Sequence, residues 1–187
     1  MSPIVTEILG AFWFFLPCGV ANMMPVFAMF TPGLKKLNYP LDCYKTFKGI
    51  RIFGDHKSWR GLISGIIGGL ITVALQAHFY NTSDFVKQIS WLNYSNVNLI
   101  LLGTLAGAGA LLGDAIKSFF KRRTNLKPGA PWFPFDQIDY ILGGIVFMLP
   151  IVQFEWWRYS LIIVLYVGLH VGATVLGYLV KLKDSPI

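Results

Sequence analysis

The chain has 187 residues, of which 55% are hydrophobic and only 13% charged, and its formal net charge is +7; its mean hydropathy is +0.57. Soluble domains keep about 25% of their residues charged, so this composition excludes an ordinary water-soluble domain. The basic excess is not arranged for nucleic acid, because the Lys and Arg residues lack a platform interleaved with stacking rings.

Taken in chain order, five stretches have the length and apolarity of a membrane span, which needs about 20 residues. The first runs from about Ile4 to Phe30. Glu7 and the lack of Lys or Arg ahead of it read as a retained helix rather than a cleaved leader. Pro17 and Pro25 flank Asn22 and predict a break in that helix. The second runs from Leu62 to about Tyr80, and the third from about Val97 to Phe120. The fourth, Ile138 to Phe154, is the shortest, and the fifth runs from Tyr159 to Val180. The expected fold is therefore an all-α integral membrane domain over residues 1–187 with about five transmembrane helices.

All but two of the 16 Lys and Arg residues fall on one side of that arrangement, the exceptions being Lys87 and Arg158. The positive-inside rule then places the N-terminus outside and the C-terminus in the cytoplasm. Pairs of small residues four apart, Gly61/Gly65, Gly65/Gly69, Gly103/Gly107, Gly109/Gly113 and Gly168/Gly172, predict close helix packing. Cys18 and Cys43 form no CxxC and read as incidental.

The chemistry sits in two basic cytoplasmic loops, Gly49 to Gly61 and Gly113 to Asp139. Asp114 lies just inside the end of the third span, where an acid is costly and usually functional. Ser118 and Lys121 follow it on the same helix face, and Asp136 and Asp139 share another. Three carboxylates near one interface suggest Mg²⁺, a hard cation held by oxygen ligands and substrate phosphates. Lys57 and Arg60 sit beside Gly54 in a turn where backbone amides could approach phosphate. With Lys121, Arg122 and Arg123 they complete the kit for phosphoryl-type transfer. Plainer readings exist for several of these: Ser118 bonding its own helix, Asp114 pairing with Lys117 or Lys121, and the arginines setting topology.

The second loop resembles the pattern of CTP-dependent enzymes that make CDP-diacylglycerol, through Gly113-Asp114, Ser118, Lys121-Arg122-Arg123, Lys127, Asp136 and Asp139. It lacks their His-Gly-Gly and has Pro131 to Asp139 instead. With Pro17, Ala21, Asn22 and Pro25, the turn Gly54 to Gly61 containing Ser58, and Asp136-Gln137-Ile138-Asp139 through Gly143, nearly the whole chain is similar to the CDP-archaeol synthase family. That resemblance implies CMP transfer from CTP to an isoprenoid ether-lipid phosphate, 2,3-bis-O-geranylgeranyl-sn-glycerol 1-phosphate, in the cell membrane. It implies Asp114, Asp136 and Asp139 as Mg²⁺ ligands. Lys57 and Arg60, with Gly54 and Ser58, would meet the triphosphate. Lys121, Arg122 and Arg123 would meet the lipid phosphate or pyrophosphate, Ser118 and Lys127 would take part in substrate binding, and Asn22 would line the pocket. Phosphatidic acid as the acceptor, a CTP-dependent polyprenol or phytol kinase, and a transporter are the competing readings; clustering of the charges at one face argues against the last.

Overall fold

The structure is a computed structural model that describes residues 1–124, 126 and 131–181. Lys127 lies outside the described residues. Six α-helices dominate: α1 (Pro3–Met29), α2 (Trp59–Thr82), α3 (Asp84–Ile89), α4 (Leu99–Lys121), α5 (Phe135–Met148) and α6 (Trp156–Leu179). Between α1 and α2 lie a 3₁₀ helix (Pro32–Leu37) and a small hairpin of β1 (Thr46–Phe47) and β2 (Ile50–Arg51).

Among the described residues, four helices, α1, α2, α4 and α6, are long and apolar enough to cross a membrane. The fourth expected span is shorter than a full crossing: α5 has 14 residues, about 21 Å at ~1.5 Å per residue, against a hydrocarbon core of ≈ 30 Å. Pro150 cannot donate a backbone hydrogen bond and follows the end of α5. The chain nevertheless traverses the bundle a fifth time. Asp136 at the start of α5 meets Lys117 and Lys121 near the end of α4. Arg158 at the start of α6 pairs with Glu7 near the start of α1 at 3.2 Å. Residues 149–155 carry the chain the remaining distance between these two faces.

The predicted break at Pro17 and Pro25 does not occur: α1 continues through both. A proline inside a helix removes the bond to the carbonyl four residues back, which in lipid must find another donor. The carbonyl freed by Pro17 is that of Trp13, and the fully buried Gln76 of α2 donates its amide N–H there. Neighbouring Phe12 O accepts from the Tyr166 hydroxyl at 2.7 Å, which ties α6 to the same stretch. Asn22 is half-buried on this continuous helix and has no hydrogen-bond partner among the described residues.

Glycines set the helix spacing. A Cβ at Gly107 would stand 2.6 Å from Ile66 Cα, and one at Gly69 2.6 Å from Gly103 O, so α2 and α4 touch backbone to backbone. Gly109, Gly113 and Gly143 do the same for α4 and α5. Gly168 and Gly172 of α6 depart from the expectation, since nothing among the described residues lies within 4 Å of a Cβ at either. The interior is filled by Phe14, Phe15, Cys18, Val73, Ile141 and Ile162 among others.

Candidate active site

The two basic loops converge at one end of the bundle. The ammonium of Lys57, two residues before α2, pairs with Asp114 on α4. Arg122 Nε donates to Phe53 O at 2.8 Å, and the Phe47 ring packs against Phe119 with centroids 6.0 Å apart. Three independent contacts thus bind the first loop to the end of α4.

The first loop is organised around Asp42, a buried carboxylate the sequence reading passed over. Its oxygens accept from Tyr44 N at 3.1 Å, from Phe53 N and Gly54 N at 2.9 Å, and from Arg51 Nε and Nη2 at 3.2 and 2.6 Å. Burial opposes the charge, but the Arg51 guanidinium and the two amides outweigh it and hold Asp42 well below the usual carboxylate range. The Gly54 amide is thereby spent inside the loop rather than offered to a phosphate. Gly54 is needed for another reason. Its φ is +87°, and a Cβ would overlap the Arg122 guanidinium lying over it. Ser58 likewise has a local job: its hydroxyl accepts from Gly61 N at 3.3 Å and caps α2. Arg60 is half-buried in the first turn of α2 and has no carboxylate partner among the described residues.

At the heart of the site, Asp114, Asp136 and Asp139 do come together, and the group that joins them is Lys117. Its Nζ lies 3.1 Å from Asp114 Oδ1, 2.7 Å from Asp136 Oδ1 and 2.9 Å from Asp139 Oδ2. Lys121 adds a 2.8 Å pair to Asp136 Oδ2. Trp132 N donates to the same carboxylate oxygen at 2.7 Å and Tyr140 N to Asp139 at 2.6 Å. Three carboxylates and three ammonium groups, those of Lys57, Lys117 and Lys121, balance. Lys117 was legible only as a helical i, i+3 neighbour of Asp114; its central position depends on α5 bringing the other two acids. The donor set is all hard oxygen and suits a divalent cation. No metal-ready group of three acidic, His or Cys side chains exists among the described residues: the point the carboxylates share is taken by the ammonium.

The remaining predicted residues divide. Ser118 donates to Asp114 O at 2.9 Å, the backbone reading rather than the substrate one. Arg122 ties the loops together, as above. Arg123 stacks on Phe119 with its Cζ 3.4 Å from the ring centroid and donates Nη1 to Phe119 O at 2.6 Å. Its buried Nη2 has no acceptor among the described residues. Arg123 and Lys117 both line a cavity of about 670 Å³ between α4 and α5. Thr124, Trp132 and Asp139 also line it; Ile116, Phe120, Leu142, Val146 and Phe147 form apolar walls. Ile116, Phe120, Leu142 and Val146 are 44–57% exposed on the outer surface of the bundle, so the cavity opens sideways, where lipid would lie.

A charged cluster joined to a lateral apolar cavity fits a membrane-embedded enzyme that handles a polar and an apolar partner together. The model of the CDP-archaeol synthase family matches residues 4–187. The CDP-archaeol synthase of Pyrococcus furiosus is 36% identical over 96% of this chain and 98% of its own. That of Thermococcus onnurineus is 33% identical over 97% and 98%, and that of Methanosarcina barkeri 34% over 91% and 99%. A solved structure described as an intramembrane enzyme for archaeal membrane lipid biosynthesis superposes with a TM-score of 0.69 at 25% identity, covering 90% of this chain and 94% of that one. The chain belongs to the CDP-archaeol synthase family. It is a CTP-dependent cytidylyltransferase of archaeal lipid biosynthesis.

Proposed function

We propose that the enzyme transfers CMP from CTP to 2,3-bis-O-geranylgeranyl-sn-glycerol 1-phosphate, which enters from the bilayer between α4 and α5. The observation that carries this reading is the junction of the Asp114–Asp136–Asp139 cluster with the 670 Å³ lateral cavity, where Lys117 and Asp139 belong to both. The chains lie along Ile116, Phe120, Leu142 and Val146, and the phosphate reaches the unsatisfied Arg123 Nη2; Lys121, paired with Asp136, would add a second charge.

Lys57 and Arg60 neutralise the triphosphate at the start of α2. A lipid phosphate oxygen attacks the α-phosphorus of CTP, the bond to the β-phosphate oxygen breaks, and pyrophosphate leaves. No general base is required, because a phosphate monoester is already ionised near neutral pH. Asp114, Asp136 and Asp139 would hold Mg²⁺, which would supply charge neutralisation at the triphosphate. Arg122 and Asp42 act at one remove by fixing the Gly54–Lys57 turn against α4. The positive-inside rule puts this face in the cytoplasm, where CTP is.

The test is a detergent assay with α-³²P-labelled CTP and Mg²⁺, offering the ether-lipid phosphate, phosphatidic acid and an isoprenoid alcohol in parallel. Label entering the lipid phase with pyrophosphate release, faster for the ether lipid, is the expected result. Faster transfer to phosphatidic acid overturns the lipid assignment. Label retained as aqueous CDP while an isoprenoid alcohol is phosphorylated would establish a kinase.

A further inference from the structure

We propose that Lys117 is an internal counter-cation: its ammonium holds the three carboxylates together in the nucleotide-free enzyme and withdraws when a divalent cation enters. The inference rests on the reading of Asp114, Asp136 and Asp139 as cation ligands given above.

The geometry is that of a cation and its ligands. One nitrogen lies within 3.1 Å of an oxygen from each of three aspartates drawn from two helices. The Lys117 side chain is 15% exposed and that of Asp139 is 6% exposed, so water screens the acids poorly. Without a cation at that point, the three carboxylates would repel one another or take up protons. A divalent ion drawing them to its own ligand distance of about 2.0–2.1 Å needs the position the ammonium holds.

Lysine suits a removable counterion. It is a point charge on a flexible stem, whereas an arginine fork would lock two carboxylates bidentately. It also has somewhere to go, since Lys117 lines the lateral cavity together with Arg123 and Thr124. Retreat in that direction carries its charge toward Arg123, where the lipid phosphate is proposed to sit. Cation entry and lipid-phosphate binding then favour one another. A purely structural brace between α4 and α5 would be redundant. Lys121 already joins Asp136 to α4 at 2.8 Å, and Gly109, Gly113 and Gly143 hold the two backbones in contact.

The experiment compares the purified full chain, Lys117→Met and Lys117→Arg in detergent, without CTP or lipid. Free Mn²⁺ is followed by electron paramagnetic resonance, and thermal midpoints are read in EDTA and in Mn²⁺. Removing the ammonium strips away both a competitor and a repelling charge, so Lys117→Met binds Mn²⁺ at least about tenfold more tightly than wild type. Its midpoint in EDTA falls on the order of 5 °C and is restored by Mn²⁺. Lys117→Arg keeps the midpoint in EDTA but binds Mn²⁺ more weakly than wild type. Equal Mn²⁺ affinity in wild type and Lys117→Met overturns the counter-cation role while leaving the carboxylates as ligands. No Mn²⁺ binding by any of the three overturns the ligand reading itself. If Lys117→Met does not fold, Lys117→Arg decides: affinity equal to or above wild type overturns the proposal.

Discussion

Asp114 touches two lysines from different parts of the chain, Lys57 and Lys117, so one carboxylate serves both loops. Asp114→Asn keeps the size and removes the charge. It should reduce CMP transfer by about 10²–10³-fold or more, as expected when a preorganised charge is lost, while the protein still elutes as a folded species in detergent. Turnover near wild type would sink the assignment of Asp114 to the site. Gln76 poses a different question at the same scale. Gln76→Leu leaves the Trp13 carbonyl unpaired beneath Pro17 and should cost about 1 kcal/mol, within the range for polar contacts between membrane helices, read as a lower thermal midpoint with Asp114 chemistry intact. Single residues were unequally legible. The acids and Lys57 stood out because charge is rare in this chain. Lys117 and Asp42 did not, because their importance comes from partners 19 to 22 and 9 to 12 positions away that no periodicity reveals. Ser58, Ser118 and Arg122 carried the right pattern, yet their side chains bond Gly61, Asp114 O and Phe53 O.

Among elements, the long helices were readable to within a few residues because about 20 apolar positions in a row admit few other structures. The β1–β2 loop was not, since its shape follows from one buried carboxylate rather than from any pattern. Asp42 titrates below the unfolded carboxylate value of about 3.9, so its contribution is complete above that pH and is lost as pH falls toward the native value. Hydrogen exchange should show the Phe53 and Gly54 amides protected at neutral pH and released progressively below about pH 4. In Asp42→Asn they should exchange faster at neutral pH, with the difference from wild type shrinking in acid. Unaltered exchange at Gly54 in that variant would remove Asp42 as the loop's organiser. The glycine contacts give a second comparison. Gly107→Ala drives a methyl into Ile66 and should destabilise by about 1–3 kcal/mol, whereas Gly168→Ala, with open space around it, should leave the midpoint unchanged. The Gly-xxx-Gly spacing is identical in both helices, so only the bundle tells them apart.

For the molecule as a whole, sidedness has a built-in reporter. Cys18 is fully buried and Cys43 is exposed on the first loop. A membrane-impermeant maleimide should therefore label inside-out vesicles at Cys43 and leave right-side-out vesicles unlabelled. Labelling of the intact outer face would invert the orientation drawn from the Lys and Arg distribution. The convergence of both loops at one end of the bundle follows from that distribution; the way α5 completes its crossing does not, since a 14-residue helix followed by an irregular segment looks in sequence like one continuous apolar run.

The proposed entry of the lipid through the sideways opening between α4 and α5 gives concentration a different meaning for each substrate. One substrate arrives by diffusion in three dimensions and the other in two, so the lipid is sensed as a mole fraction of the surrounding film rather than as an amount per volume. Adding inert lipid or detergent at constant total substrate should slow turnover in proportion. On the proposed reading, the product keeps the chains of the substrate and would leave through the same slot, competing with substrate in the plane. On that reading, faster removal of the product by the reaction that consumes it would raise the rate.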